Sequence, residues 1–162
     1  MAKVILKLGA DVSTDIIYPG RFMATVLPNE TPRYTFADLA INKKLNAGEI
    51  AAGSIIVAEK NFGCGSSREQ AASCLKGWEL TIIAHDFARI FLQNAINLGL
   101  GVINCPTIEA SEGDELVIEN GKIVNKTTNK SFAIVPLPKA RQAIIDAGGL
   151  MPYTRSLILH KT

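Results

Sequence analysis

Apolar positions alternate at the start of this chain, run continuously through its middle, and alternate again in its last third. Residues 3–8 set Val4, Leu6 and Leu8 against neighbours that include Lys3 and Lys7, the period of a strand. Residues 9–20 are polar and rich in turn formers, with Asp11, Ser13, Thr14, Asp15 and the pair Pro19-Gly20. Residues 21–33 hold Pro28 and Pro32 and show no period, which predicts an irregular loop. Thr35 is a candidate cap for a short helix reaching Ile41.

The middle is more regular. Ser54-Ile55-Ile56-Val57-Ala58, bounded by Gly53, has the continuous apolar run of a strand buried on both faces. A loop follows over 61–66. Ser66 or Ser67 is placed to cap a helix that runs to about Lys76, with Glu69 in its first turn and Gly77 closing it. Residues 80–84 form a second apolar strand. Asp86 is placed to cap a helix over 87–98 closed by Gly99, and residues 101–104 form a third strand. Two successive strand–helix–strand units imply a parallel sheet with right-handed crossovers.

Residues 115–119, 122–125 and 131–135 read as short strands, with Asn120-Gly121 as a tight hairpin turn and a polar turn over 126–130. A helix over 139–147 ends at Gly148-Gly149. There is no internal repeat. The expected fold class is α/β, parallel strand–helix units with added antiparallel hairpins, in one domain over 1–162.

Composition narrows the partners. The chain has 162 residues, 48% hydrophobic and 20% charged, with a net charge of +2. That balance suits a globular domain and offers no electrostatic case for nucleic acid or an anionic membrane. No apolar stretch approaches the roughly 20 residues that span a bilayer, and the N-terminus lacks a signal-peptide core. An odd count of three cysteines suits a reducing compartment, so a cytoplasmic location is expected. Cys64, Cys74 and Cys105 form no Cys-x-x-Cys pair, and His85 and His160 lack ligand spacing, so no metal site is expected within the chain. Cys74 and Cys105 read as small core residues.

The candidate chemistry lies in Asn61-Phe62-Gly63-Cys64-Gly65-Ser66-Ser67-Arg68-Glu69-Gln70, between a strand and a helix. A helix start exposes unpaired amides and a positive dipole end, which attract anions. Gly63 and Gly65 permit close backbone approach, the serines add donors, and Arg68 can grip a carboxylate or phosphate. The same residues also suit a plain tight turn with a serine cap. A dinucleotide fingerprint needs a third glycine where Arg68 stands, although Asp86 superficially matches the ribose-binding acid. No Gly-Lys-Ser/Thr occurs, and no glycine follows the serines at hydrolase-elbow spacing.

Residues 61–69 closely resemble the signature of the aconitase-superfamily small subunit, the swivel domain of isopropylmalate dehydratases. The likeness extends to residues 9–17 with Pro19-Gly20-Arg21, to Phe87-Ala88-Arg89-Ile90-Phe91, to residues 94–100, and to Gly148-Gly149-Leu150 before Tyr153. It implies a swivelling β/β/α domain and a large partner subunit that carries a [4Fe–4S] cluster, with no cofactor in this chain. It further implies that Ser66, as an alkoxide, is the catalytic base that removes the proton α to a carboxylate. Gly65, Ser67 and Arg68 would bind the substrate carboxylate. Gln70 stands where family members often carry His, and a packing role fits a position one turn into the helix. Arg89 fits a structural role better than substrate contact. Asp11 and Asp15 suit either loop orientation or simple turn chemistry.

Arg21-Phe22-Met23-Ala24-Thr25 resembles the family's specificity loop. Homoaconitase-like members place arginine at the variable position to bind an extra carboxylate, and isopropylmalate enzymes place an apolar residue there. Ala24 occupies it here, which favours 2-isopropylmalate and 3-isopropylmalate. A methyl-substituted malate such as 2,3-dimethylmalate, or citramalate, is the nearest alternative. Homoaconitate stays open because Arg33 lies in the same loop. A non-catalytic small-anion-binding module is the alternative of another class.

Overall fold

The computed structural model describes residues 1–159; His160 and the end of the expected 1–162 domain lie outside the described residues. The molecule is built on one mixed sheet of seven strands, with helices on one face. Its parallel half comprises β1 (Ala2–Lys7), β2 (Ile55–Ala58), β3 (Thr81–Ala84) and β4 (Gly101–Asn104). Its antiparallel half comprises β5 (Glu115–Glu119), β6 (Lys122–Asn125) and β7 (Lys130–Ala133). The order is β4-β3-β2-β1-β5-β6-β7. The expected α/β class with added antiparallel strands is what the chain adopts.

Alternation divides the core between the two faces. Ile56 and Ala58 of β2, with Ile82 and Ala84 of β3, face the helical layer. Ile55, Val57 and Ile83 face the opposite side, where they pack with Val4, Cys105, Leu116, Ile123 and Phe132. A strand buried on both faces needs apolar residues at every position, which is why β2 shows no polar phase. The sheet curls until its ends meet: Val135 N–H donates to the Asn104 carbonyl at 2.9 Å. At the β5–β6 turn Asn120 and Gly121 have φ of 49° and 72°, the left-handed pair that a tight hairpin requires.

The helical layer contains α1 (Thr14–Ile17), α2 (Ile41–Asn46), α3 (Glu69–Gly77), α4 (Arg89–Leu98), α5 (Lys139–Asp146) and α6 (Leu150–Leu159). Several starts differ from the sequence expectation. Thr35 donates its hydroxyl to the Pro32 carbonyl at 2.7 Å, closing the 3-10 turn Thr31–Tyr34, and α2 begins only at Ile41. Neither Ser66 nor Ser67 caps α3; Arg68 precedes its first residue with no side-chain cap. Asp86 does not cap α4, because Phe87 pairs with Phe62 in extended chain and the helix cannot begin before Arg89.

Gly77 is the last residue of α3 rather than a left-handed stop. Glycine stands there because a Cβ would lie 2.2 Å from Pro32 Cγ. Gly99 closes α4 at φ 70°, as expected. The helix α6 was not expected from the sequence; Pro152 falls in its first turn, where its missing N–H has no partner to lose.

Candidate active site

The segment between β2 and α3 is sewn to two neighbouring loops. Asn61 takes a left-handed φ of 60°, donates its side-chain amide to the Asp11 carboxylate at 2.7 Å, and donates its backbone N–H to the Asp86 carboxylate at 2.5 Å. Phe62 accepts from Ala88 N–H at 2.9 Å, and Gly63 N–H donates to the Val12 carbonyl at 2.7 Å. Beneath them lies an aromatic floor: Phe62 meets Phe91 edge-on at 5.2 Å, and Phe87 stacks on Phe91 at 6.3 Å. Gly63 presses on this floor at φ 83°, where a Cβ would come within 2.2 Å of Phe91 Cγ.

Thr14 grips the next turn twice. Its N–H donates to the Cys64 carbonyl at 2.8 Å, and its hydroxyl donates to the Ser66 carbonyl at 3.1 Å. Asn94 of α4 reaches the Ser67 carbonyl at 3.5 Å. The carbonyls of this turn therefore point into the protein. Gly65, Ser66 and Ser67 are exposed, and among the described residues their backbone amides donate to no protein acceptor. They lead directly into the uncapped first turn of α3, so free donors and a positive dipole end meet at one spot. The four sequence-derived residues Gly65, Ser66, Ser67 and Arg68 thus bracket a corner of unpaired backbone donors at the start of α3.

Arg68 is turned partly away from solvent. One of its guanidinium nitrogens donates to the Asp15 carboxylate and to the Tyr18 carbonyl. Asp11 and Asp15 do more than form turns: each ties a residue of the 61–68 loop to the 9–20 segment. That anchoring by Asp15 is the feature sequence reasoning left undecided.

The loop of Arg21, Phe22, Met23, Ala24 and Thr25 adjoins this corner through Tyr18. The Tyr18 hydroxyl, its pKa raised by burial and so held as a proton donor, bonds the carbonyls of Phe22 and Thr25 at 3.1 and 3.2 Å. Phe22 stacks on Tyr34 at 4.1 Å, with the Arg21 guanidinium 4.6 Å from the Phe22 ring. Arg21 also pairs with Asp38, a partner that no spacing in the sequence had marked. Both ends of the loop are therefore fixed, while Met23 and Ala24 stay exposed at its tip. Arg33 lies over Tyr34 at 4.6 Å.

Gln70 lines a cavity of about 230 Å³ with Val26, Pro28, Glu69, Ser73 and Leu98, where the 26–28 stretch leans on α3. Arg89 is exposed and belongs to none of the ion pairs among the described residues. The Asp86 carboxylate, three residues before it, accepts from Asn61 N–H instead of pairing with Arg89.

The sulfurs do not converge on a cluster cage. Cys74 and Cys105 are buried in opposite cores, and burial pushes the Cys74 thiol up to about 12 and raises that of Cys105 as well. Metal-binding sulfurs need the thiolate, which these environments oppose. Among the described residues no group of three or more His, Cys, Asp or Glu side chains could hold a metal ion. No helix among the described residues is long and apolar enough to cross a membrane.

The family model for the aconitase C-terminal domain matches residues 10–107, a span that contains the 61–68 loop and the loop of residues 21–25. The chain is 43% identical over 156 residues to the 3-isopropylmalate dehydratase small subunit of Methanosarcina mazei, covering 94% of each chain. It is 44% identical over 158 residues to the isopropylmalate/citramalate isomerase small subunit of Methanocaldococcus jannaschii, covering 93% of this chain and 91% of that one. A crystal structure of 3-isopropylmalate dehydratase from Methanocaldococcus jannaschii superposes with a TM-score of 0.85 at 38% identity, over 98% of this chain and 96% of the other. By matched span, identity and coverage, this chain belongs to the aconitase C-terminal domain family.

Proposed function

We propose that this chain is the small subunit of a heteromeric hydro-lyase that isomerises 2-isopropylmalate and 3-isopropylmalate by dehydration and rehydration, a step of leucine biosynthesis. The observation that carries the site assignment is the corner itself, where Ser66 stands among unpaired amides at the uncapped start of α3, beside Arg68. Ser66 Oγ removes the proton α to a carboxylate. Its alkoxide is far too basic to persist unaided, and the amides of Gly65 and Ser67 with the α3 dipole lower that cost. Ser67 and Arg68 hold the substrate carboxylate, with Gly65 leaving room for it. In this reading the large subunit carries a [4Fe–4S] cluster, which supplies the Lewis acid for the leaving hydroxyl. Residues 1–162 act as one swivel domain over that partner, in the cytoplasm.

Ala24 at the exposed loop tip carries the choice of an alkyl substituent. It offers no charge to a further carboxylate, and burying an isopropyl group contributes roughly 2 kcal/mol. Citramalate is the second reading, favoured by the isomerase small subunit of Methanocaldococcus jannaschii among the relatives. Anaerobic mixing with a reconstituted large subunit, followed by absorbance of the unsaturated acid, tests the proposal. Turnover is expected with 3-isopropylmalate and lost in Ser66→Ala; normal turnover in that variant would remove the base assignment. Tight binding of small anions by the chain alone, without turnover in the complex, would instead favour a non-catalytic anion module.

A further inference from the structure

Thr14 is 1% exposed, yet neither of its donors serves its own helix. Its N–H goes to the Cys64 carbonyl at 2.8 Å and its hydroxyl to the Ser66 carbonyl at 3.1 Å. Between those two carbonyls Gly65 adopts φ 89°, with the Thr14 hydroxyl directly beneath: a Cβ on Gly65 would lie 3.7 Å from it. Every peptide bond among the described residues is trans. In a trans peptide the C=O and the following N–H point in opposite directions. Drawing the Cys64 carbonyl inward therefore turns Gly65 N–H outward, and drawing the Ser66 carbonyl inward does the same for Ser67 N–H. Those two amides have no acceptor among the described residues. A hydrogen bond on a carbonyl also polarises its peptide and strengthens the N–H on the far side.

We infer that Thr14 is a positioning residue, which aims and polarises the Gly65 and Ser67 amides toward the oxyanion that forms at Ser66. Thr14 touches no substrate and acts through the backbone of the turn. The inference rests on the reading of Ser66 as base. Merely structural packing would need the shape of threonine; this role needs its hydroxyl.

The test compares Thr14→Val, Thr14→Ser and Thr14→Cys in the complex with the large subunit, using 3-isopropylmalate. Thr14→Val keeps the shape and the backbone N–H but removes the hydroxyl. Its kcat is expected to fall on the order of tenfold, with KM changed less than about twofold. The acidic limb of the kcat–pH profile should move up by about one unit, the equivalent of a tenfold loss of alkoxide stabilisation. Thr14→Ser should stay within about threefold of the parent, and the weak S–H donor of Thr14→Cys should fall between the two. If Thr14→Val does not assemble, the Ser and Cys variants carry the same comparison. An unchanged kcat and pH profile in Thr14→Val, or equal impairment by Val and Ser, overturns the inference. Ser66→Ala runs alongside. If it keeps turnover, the base reading and this inference fall together; if it is inactive while Thr14→Val is unimpaired, only this inference falls.

Discussion

The guanidinium of Arg68 is tied to the carboxylate of Asp15, 53 residues earlier in the chain. Arg68 keeps only 16% of its side chain exposed, whereas Asp15 keeps 58%. The pair therefore contributes little to stability, below about 1 kcal/mol in so open a setting. What it contributes is aim, since the Asp15 anchor fixes the direction of the remaining guanidinium donors, one of which lies beside Gly20.

Asp15→Ala should accordingly weaken substrate binding without unfolding the chain. KM for 3-isopropylmalate is expected to rise about tenfold as Arg68 loses its fixed direction, with a smaller change in kcat. Thermal unfolding checks that Tm is nearly unchanged. Steady-state kinetics of the complex check the rest, and an unaltered KM would remove Arg68 from the carboxylate site.

Gly63 and Gly65 both have positive φ, but their substitution by alanine should differ sharply. A Cβ on Gly63 would overlap Phe91 at 2.2 Å, while one on Gly65 would meet nothing nearer than 3.7 Å. Gly63→Ala therefore combines backbone strain with overpacking, costing roughly 3 kcal/mol and a Tm drop on the order of 10 °C. Gly65→Ala carries the strain alone, about 1–2 kcal/mol. Thermal denaturation of the two variants side by side would show the contrast, and equal drops would mean that the aromatic floor yields.

The parallel strands, the hairpin at Asn120-Gly121 and the stop at Gly99 were legible because each rests on local residue chemistry. Ile55-Ile56-Val57 admits no exposed face, and Asn-Gly tolerates a left-handed pair. The helix starts were not legible, because long-range pairing decided them. Asp86 looks like a cap, yet Asn61, 25 residues earlier, takes its carboxylate. Ser66 and Ser67 look like caps, yet their carbonyls are drawn inward by Thr14 and Asn94, which leaves the start of α3 bare. Gly77 looks like a helix stop, yet Pro32 decides it through space. The motif at 63–69 pointed to the candidate site. The residues that shape it, Thr14, Asp15 and Tyr18, lie on a segment whose polar pattern resembles any turn.

Buried thiols set an alkaline limit on stability. In the unfolded chain a cysteine ionises at about pH 8.5. In the folded chain burial pushes Cys74 up to about 12 and raises Cys105. The folded state thus keeps protons that the unfolded state releases. This contribution to stability is fully present below the ordinary thiol range and is lost as pH rises toward the folded value. At pH 10 the loss from Cys74 is on the order of 1–2 kcal/mol. Tm measured between pH 7 and pH 10 should fall, and the fall should be shallower in Cys74→Ala. Thiol-specific labelling of the native chain at pH 8 should modify Cys64 first, since it is the one cysteine that is not buried.

The last prediction concerns Ala24, which stands at the exposed tip of a loop whose two ends are fixed. Tyr18 holds the carbonyls of Phe22 and Thr25, and Arg21 is paired with Asp38. A change at the tip should therefore alter what the loop presents rather than where it lies. Ala24→Arg adds a planar cation able to bind a carboxylate in two places. It also removes the apolar room that suits an isopropyl group. The kcat/KM ratio of homoaconitate to 3-isopropylmalate is expected to rise by roughly tenfold to a hundredfold, because gain and loss act in the same direction. Competition between the two substrates in the assembled complex measures that ratio directly. No change would mean that the tip of the loop does not reach the substrate, and the choice of substituent would then have to lie with the partner.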